Sequence, residues 1–222
     1  MSARREGLVI AGLLMLSAVP ALGGVLRVVS TLLGADWIPG QDRVTGHEWA
    51  LGLHVLSSAL FATLGAFQFS SRLRRARTRW HGRAGRILVP AGLLSAGSGG
   101  WLTAVYPLGE HDGTVLTMLR LAVVFALTVA LVFGTRAVRN REFRAHGAWM
   151  MRAYALAQGA GTQVFTHLLL LDGFGMTGET ARTLAMGGGW AINLAVAEGA
   201  LLASRRPMGP ARGPRPVPGA VG

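Results

Sequence analysis

The chain has six histidines and no cysteine. Thiolate catalysis, disulfides, Cys-ligated zinc and iron–sulfur clusters are therefore excluded. A metal ion or haem would have to be held by imidazole, with Asp or Glu as helpers. The histidines fall into three groups. His54 and His167 lie inside apolar stretches. His81 and His146 stand at the entrances of two others, each beside arginine. His47 and the Glu110-His111-Asp112 cluster lie in polar connections.

At 1.5 Å per residue, His54 lies about 10 Å inside its stretch, and His167 and Arg120 fall at nearly the same depth. Two facing imidazoles are a way to hold haem b without cysteine, with Arg120 neutralising a propionate. The stripe His47, Leu51, His54, Ser58, Phe61, Gly65, Gln68 and the stripe Ala153, Ala157, Ala160, Gln163, His167 mix small and polar residues, as interior faces do. The alternative is that each imidazole bonds a carbonyl or hydroxyl, that Arg120 snorkels, and that the small residues serve helix packing. His81 and His146 form a candidate second pair, or else they contact lipid phosphates or cap helix starts. His146 and His167 are 21 residues apart, about 31 Å along a helix, which is long for two haems stacked across one membrane. His54, His81, His146 and His167 are thus the candidate metal ligands. His47 and Glu110-His111-Asp112, together with His54, can be read as an outer site for a divalent metal such as zinc or copper, or the loop residues as solvated.

Arg152 and Glu198 fall at comparable depth in the last two apolar stretches, which predicts a structural ion pair. For a fully buried pair, removing one partner is worth roughly 3–5 kcal/mol. There is no G-x-G-x-x-G, P-loop, H-E-x-x-H or G-x-S-x-G motif. No soluble-type catalytic residue set is visible.

Two blocks resemble a known family. The first is His54, then Gly65-Ala66-Phe67-Gln68-Phe69, then Arg79-Trp80-His81-Gly82-Arg83-Ala84-Gly85-Arg86. The second is Arg141-Glu142-Phe143-Arg144-Ala145-His146-Gly147-Ala148-Trp149-Met150-Met151-Arg152-Ala153-Tyr154. Together they resemble the bacterial membrane proteins catalogued as domain of unknown function 2306. The resemblance implies that His54, His81, His146 and Arg152 are family-pattern positions; His167 is outside that pattern. Where the family has His-Arg, this chain has His81-Gly82 and His146-Gly147. The resemblance brings no established activity, and its likeness to cytochrome b-type proteins is an analogy of fold.

The elements that must position these residues are membrane spans. Of 222 residues, 51% are hydrophobic and 14% charged, where soluble domains carry about 25% charged. Mean hydropathy is +0.42. Six apolar stretches approach the ~20 residues a bilayer needs. They run 7–26, 49–69, 87–106, 115–135, 148–171 and 183–204. Every basic residue is arginine, and the net charge is +12. On alternating connections, 17 of the 22 arginines fall on one side and 3 on the other, while seven of the ten acids lie on the arginine-poor side. This pattern predicts an all-α bundle of six transmembrane helices with both termini cytoplasmic, in a bacterial cytoplasmic membrane. Residues 1–206 form the single membrane domain. Residues 207–222, with five of the nine prolines, read as a disordered tail. The first stretch can also be read as a signal peptide, although its uncharged run exceeds the usual 7–15 residues. Arg79-Trp80-His81-Gly82 and Arg144-Ala145-His146-Gly147 echo one another where the third and fifth stretches open, at equivalent places in two hairpins.

The Arg72–Arg86 segment is expected to meet anionic lipid. Its one aromatic, Trp80, offers no series for stacking bases, so nucleic acid is not an expected partner. The leading functional expectation is an electron-transfer protein holding haem b or a metal and meeting a redox partner. The alternatives are a small permease using Arg152, Glu198 and Arg120, or a membrane assembly partner without a cofactor. Oligomeric state is not encoded legibly.

Overall fold

The computed structural model describes residues 3–35, 37–38, 46–76 and 78–205. The described residues are helical throughout, with no strand. The helices are α1 (Ala3–Leu32), α2 (Glu48–Gln68), α3 (Ser71–Ala76), α4 (Thr78–Val105), α5 (Thr114–Arg139), α6 (Phe143–Ala157), α7 (Gly159–His167) and α8 (Gly178–Arg205). A π-helical turn, Leu168–Gly173, follows α7. Asp36, Asp42, Arg43, Arg77, Arg206 and the expected tail at 207–222 lie outside the described residues.

Four helices are long and apolar enough to cross a bilayer: α1, α2, α4 from Arg79, and α5. α8 has the length, at 28 residues, but Gly187–Gly189, Asn193 and Glu198 dilute its apolar character. The fifth expected stretch is broken. Gln158 ends α6, its N–H bonded to Tyr154 O at 2.9 Å, and its own carbonyl accepts the Gly161 N–H at 3.1 Å in a tighter turn. Gly159 and Gly161 flank the break, and glycine weakens a helix interior.

Other boundaries also move. α4 opens at Thr78, nine residues before the expected start, so Arg79 to Arg86 are helical and not loop. Pro20 and Pro90 lie inside α1 and α4. Neighbouring groups in membrane helices can compensate the N–H a proline lacks. The α5–α6 turn is a Schellman cap: Glu142 N–H reaches Ala137 O at 2.8 Å and Arg141 N–H reaches Val138 O at 3.1 Å. Arg141 takes φ +62 there. Glycine would hold this left-handed position more easily, by about 1 kcal/mol.

α2 packs most extensively on α4, α5 on α6, and α7 on α8; α1 lies against α2 and α7. The first two pairs are the hairpins whose second helices, α4 and α6, open on the echoed sequence. The core gathers Phe61, Leu88, Leu127, Leu131, Tyr154 and Leu156. Leu8, Met15 and Leu22 of α1, Phe125 of α5 and Val196 of α8 face outward. An apolar outer surface suits a bundle whose solvent is lipid. α1 belongs to the packing. A Cβ on Gly161 would lie 2.2 Å from Leu16 O, so only glycine lets α7 approach the α1 backbone this closely. Buried Glu6 of α1 accepts bonds from the Ser70 and Ser71 hydroxyls and from Arg72 N–H, which ties α1 to the start of α3.

Candidate functional site

His54, on α2, is held against α4. Its Nδ1 lies 3.0 Å from Ser95 O and 3.3 Å from Ser98 Oγ. A Cβ on Gly99 would stand 3.0 Å from His54 Cε1, so the glycine admits the ring to the α4 backbone. His146, on α6, reaches across to α5, with Nδ1 2.9 Å from Gly134 O. His167 folds back on its own helix, Nδ1 2.7 Å from Gln163 O. His81 and His146 are each the fourth residue of their helices, at the arginine-rich end of the bundle.

His54 and His167 are held by different partners, the first by the α4 backbone and the second by its own helix. Tyr154 fixes the register of the fifth stretch against α2: its hydroxyl donates to Ala62 O at 2.7 Å, and its ring abuts Gly65. From that level His54 lies eight residues, about 12 Å, toward the acidic end. His167 lies 13 residues after Tyr154, beyond the break at Gln158. A bis-imidazole metal site needs its two nitrogens about 4 Å apart, twice a ~2.0 Å bond.

Arg120 is engaged elsewhere than the expected propionate. Its Nη1 and Nη2 donate to Asp112 Oδ2 and Oδ1, both at 3.2 Å. Arg182 of α8 donates through Nε to the same Oδ1 at 2.5 Å. The Asp112 side chain is 2% exposed, so the reading of Glu110–Asp112 as solvated loop is corrected at this position. Burial raises the Asp112 pKa, but the hydrogen bonds and charges of Arg182 and Arg120 outweigh it and hold the carboxyl well below its ordinary range. His47 lies beside Tyr106, ring centroids 6.2 Å apart. Among the described residues no three His, Asp or Glu side chains gather as a ligand set.

Arg152 and Glu198 meet through two bonds, Nε to Oε1 at 2.5 Å and Nη2 to Oε2 at 3.0 Å. The guanidinium also lies 5.2 Å from the Trp149 ring centroid. The pair is only partly buried, with side chains 27% and 43% exposed.

Sequence reasoning missed a buried polar knot at the helix break. Gln158 Nε2 contacts Tyr154 Oη at 2.7 Å and Ser17 Oγ at 2.8 Å, and Ser17 Oγ donates to Leu13 O at 2.8 Å. It joins α1, α2 and α6 in the middle of the bundle. The available signal was Tyr154 itself, since a buried tyrosine needs a hydroxyl partner. Beyond the break, Thr162 donates to Asn193 at 2.8 Å and Thr166 to Ala185 O at 2.5 Å.

The family model described as predicted membrane protein (DUF2306) matches residues 51–201. The chain belongs to this family. No curated protein and no solved structure matches it. The DUF2306 region opens inside α2 and closes inside α8. It contains His54, His81, His146, His167, the Tyr154–Gln158 contact and the Arg152–Glu198 pair, whereas the α1 residues Glu6 and Ser17 lie outside it.

Proposed function

We propose that this DUF2306 protein crosses a bacterial cytoplasmic membrane six times, keeps both termini in the cytoplasm, and holds haem b or a metal ion through interior imidazoles for electron transfer to a redox partner. α6, α7 and the π turn make the fifth crossing and α8 the sixth. The arginine-rich end faces the cytoplasm, where the Arg72–Arg86 segment meets anionic lipid.

One shared feature supports the ligand role. Nδ1 of His54, His146 and His167 each lies 2.7–3.0 Å from a backbone carbonyl. A carbonyl oxygen only accepts, so Nδ1 is the donor in each contact, and Nε2 is the nitrogen left for a metal. Ligating histidines are held in this way by their surroundings. His54, His146 and His167 are each presented in this way, and His81 stands at the position on α4 that matches His146 on α6; two of these four imidazoles would hold the group. A bound haem would supply one-electron chemistry. The chain's own part is to fix ring orientation and exclude water.

Protein purified from haem-supplemented cells should show a Soret band and a reduced α band, or a bound metal by elemental analysis. Of His54→Ala, His167→Ala, His81→Ala and His146→Ala, made singly, two should abolish the signal, while His47→Ala and His111→Ala should retain it. A preparation with neither haem nor metal overturns the reading. Reporter fusions at residues 40, 78, 110, 140 and 176 should alternate outside and inside, and two adjacent fusions on one side would break the six-crossing topology.

A permease reading has its own support in the helix break at Gln158 and the buried Ser17–Tyr154–Gln158 knot, because transporters place binding sites at discontinuous helices. Solute uptake by proteoliposomes, lost in Gln158→Leu, would decide for it.

A further inference from the structure

The opening two turns of α4 differ from the rest of the bundle's charged surface. Arg79, Arg83 and Arg86 recur at helical spacing, and with Gly82 they line a cleft of about 460 Å3. All three are exposed. Among the described residues, none of the three has a hydrogen bond, ion pair or ring contact, whereas Arg120, Arg152 and Arg182 each grip a carboxylate. A Cβ at Gly82 would meet nothing within 4 Å, so the cleft floor is open. Three unpaired arginines on one helix face offer a set of donors for phosphate oxygens.

What lies above the cleft selects the ligand. From Ile87 onward the outward face of α4 turns apolar: Ile87 is 52% exposed, Leu94 49% and Trp101 47%, spaced seven residues apart. The face is thus cationic for two turns and apolar for the next four. A phosphate carrying long hydrocarbon chains matches both parts, whereas a free phosphate compound matches only the first.

We infer that Arg79, Arg83 and Arg86 bind the headgroup phosphate of one anionic lipid in the Gly82 cleft, with its acyl chains along Ile87, Leu94 and Trp101. The inference rests on the membrane placement proposed above, and it narrows lipid contact from the whole Arg72–Arg86 segment to one stoichiometric site.

The test is native mass spectrometry of the full chain in uncharged detergent, titrated with phosphatidylglycerol, phosphatidylcholine or inorganic phosphate. One phosphatidylglycerol adduct should persist at protein-level concentrations, and phosphatidylcholine should give none. Each arginine near an anionic headgroup is worth roughly a factor of five, so the triple variant Arg79→Gln, Arg83→Gln, Arg86→Gln should bind about 100-fold more weakly. Gly82→Leu, which fills the cleft and keeps every charge, should also lose the adduct. The control Arg72→Gln, Arg75→Gln should keep it. Equal losses in the triple variant and the control would mean diffuse attraction and overturn the site. Displacement by inorganic phosphate would overturn the lipid assignment, and retention of the adduct in Gly82→Leu would overturn the cleft. None of these outcomes depends on orientation; a fusion at residue 78 reporting the outer face would remove the proposed topology and leave the phosphate site standing.

Discussion

The two ends of the bundle use the same residue type in opposite ways. At the acidic end, Arg120 and Arg182 close on one buried carboxylate, Asp112, and join the connection before α5 to α5 and α8. At the other end, Arg79, Arg83 and Arg86 stand exposed around a cleft. The first arrangement is internally neutralised and holds helices together. The second leaves its donors free for something outside the chain. Arginine count and sign give topology, but only the position of the carboxylates separates a strut from a binding surface.

The largest expected effect is at Asp112. Replacing it by Asn leaves two guanidiniums facing a neutral group. Both arginines are partly exposed, so the loss is placed at the low end for a buried pair, roughly 3 kcal/mol. Thermal unfolding in detergent measures it, and an unchanged midpoint would show that the acidic end is not held by this contact. The pH dependence has a definite sign. The folded carboxyl titrates below its ordinary value of 3.8, so its contribution is complete above that pH and is lost as pH falls toward the depressed value. The unfolding midpoint should decline steeply below about pH 4, and Asp112→Asn should lack that component of the decline.

Arg152 and Glu198 lie between the two cases, paired but half open. The sequence expectation of 3–5 kcal/mol assumed full burial. With side chains 27% and 43% exposed, Glu198→Gln should cost no more than about 1 kcal/mol. Arg152 also keeps its contact with Trp149 in that variant. A loss as large as that of Asp112→Asn would show that exposure is a poor guide to ion-pair strength in this bundle.

Much of the architecture was legible in the residues. The apolar stretches mark α1, α2, α4 and α5, because hydrophobic length is a cumulative signal that single residues do not erase. Arg152 and Glu198 could be matched by depth, since each is an ionisable residue in a long apolar run. The break at Gln158 was not legible: Gly159 and Gly161 also suit ordinary close packing, and the turn depends on Leu16 and Ser17 arriving from a distant helix. Asp112 was misread because loop residues are usually solvated, and its burial depends on Arg182, 70 residues away. The partners of the imidazoles were not legible either, because the carbonyl that each ring meets, Ser95 O for His54 and Gly134 O for His146, belongs to another helix. The arginines at 79–86 were assigned to a loop because charge masks a helix start when the apolar run begins later.

The smallest effect bears most directly on the contrast between the two ends. Arg83 stands four residues after Arg79 and three before Arg86, and like charges at such spacings destabilise a helix by about 0.2–0.5 kcal/mol per pair. In lipid-free, uncharged detergent, Arg83→Gln should therefore leave the unfolding midpoint unchanged or raise it slightly, the opposite of Asp112→Asn. Adding phosphatidylglycerol should reverse the order, because a ligand that binds only the folded chain stabilises it in proportion to its affinity. Wild type should then gain more than Arg83→Gln. A loss of stability in Arg83→Gln without lipid would make Arg83 a strut like Arg120, and the two ends of the molecule would no longer differ in kind.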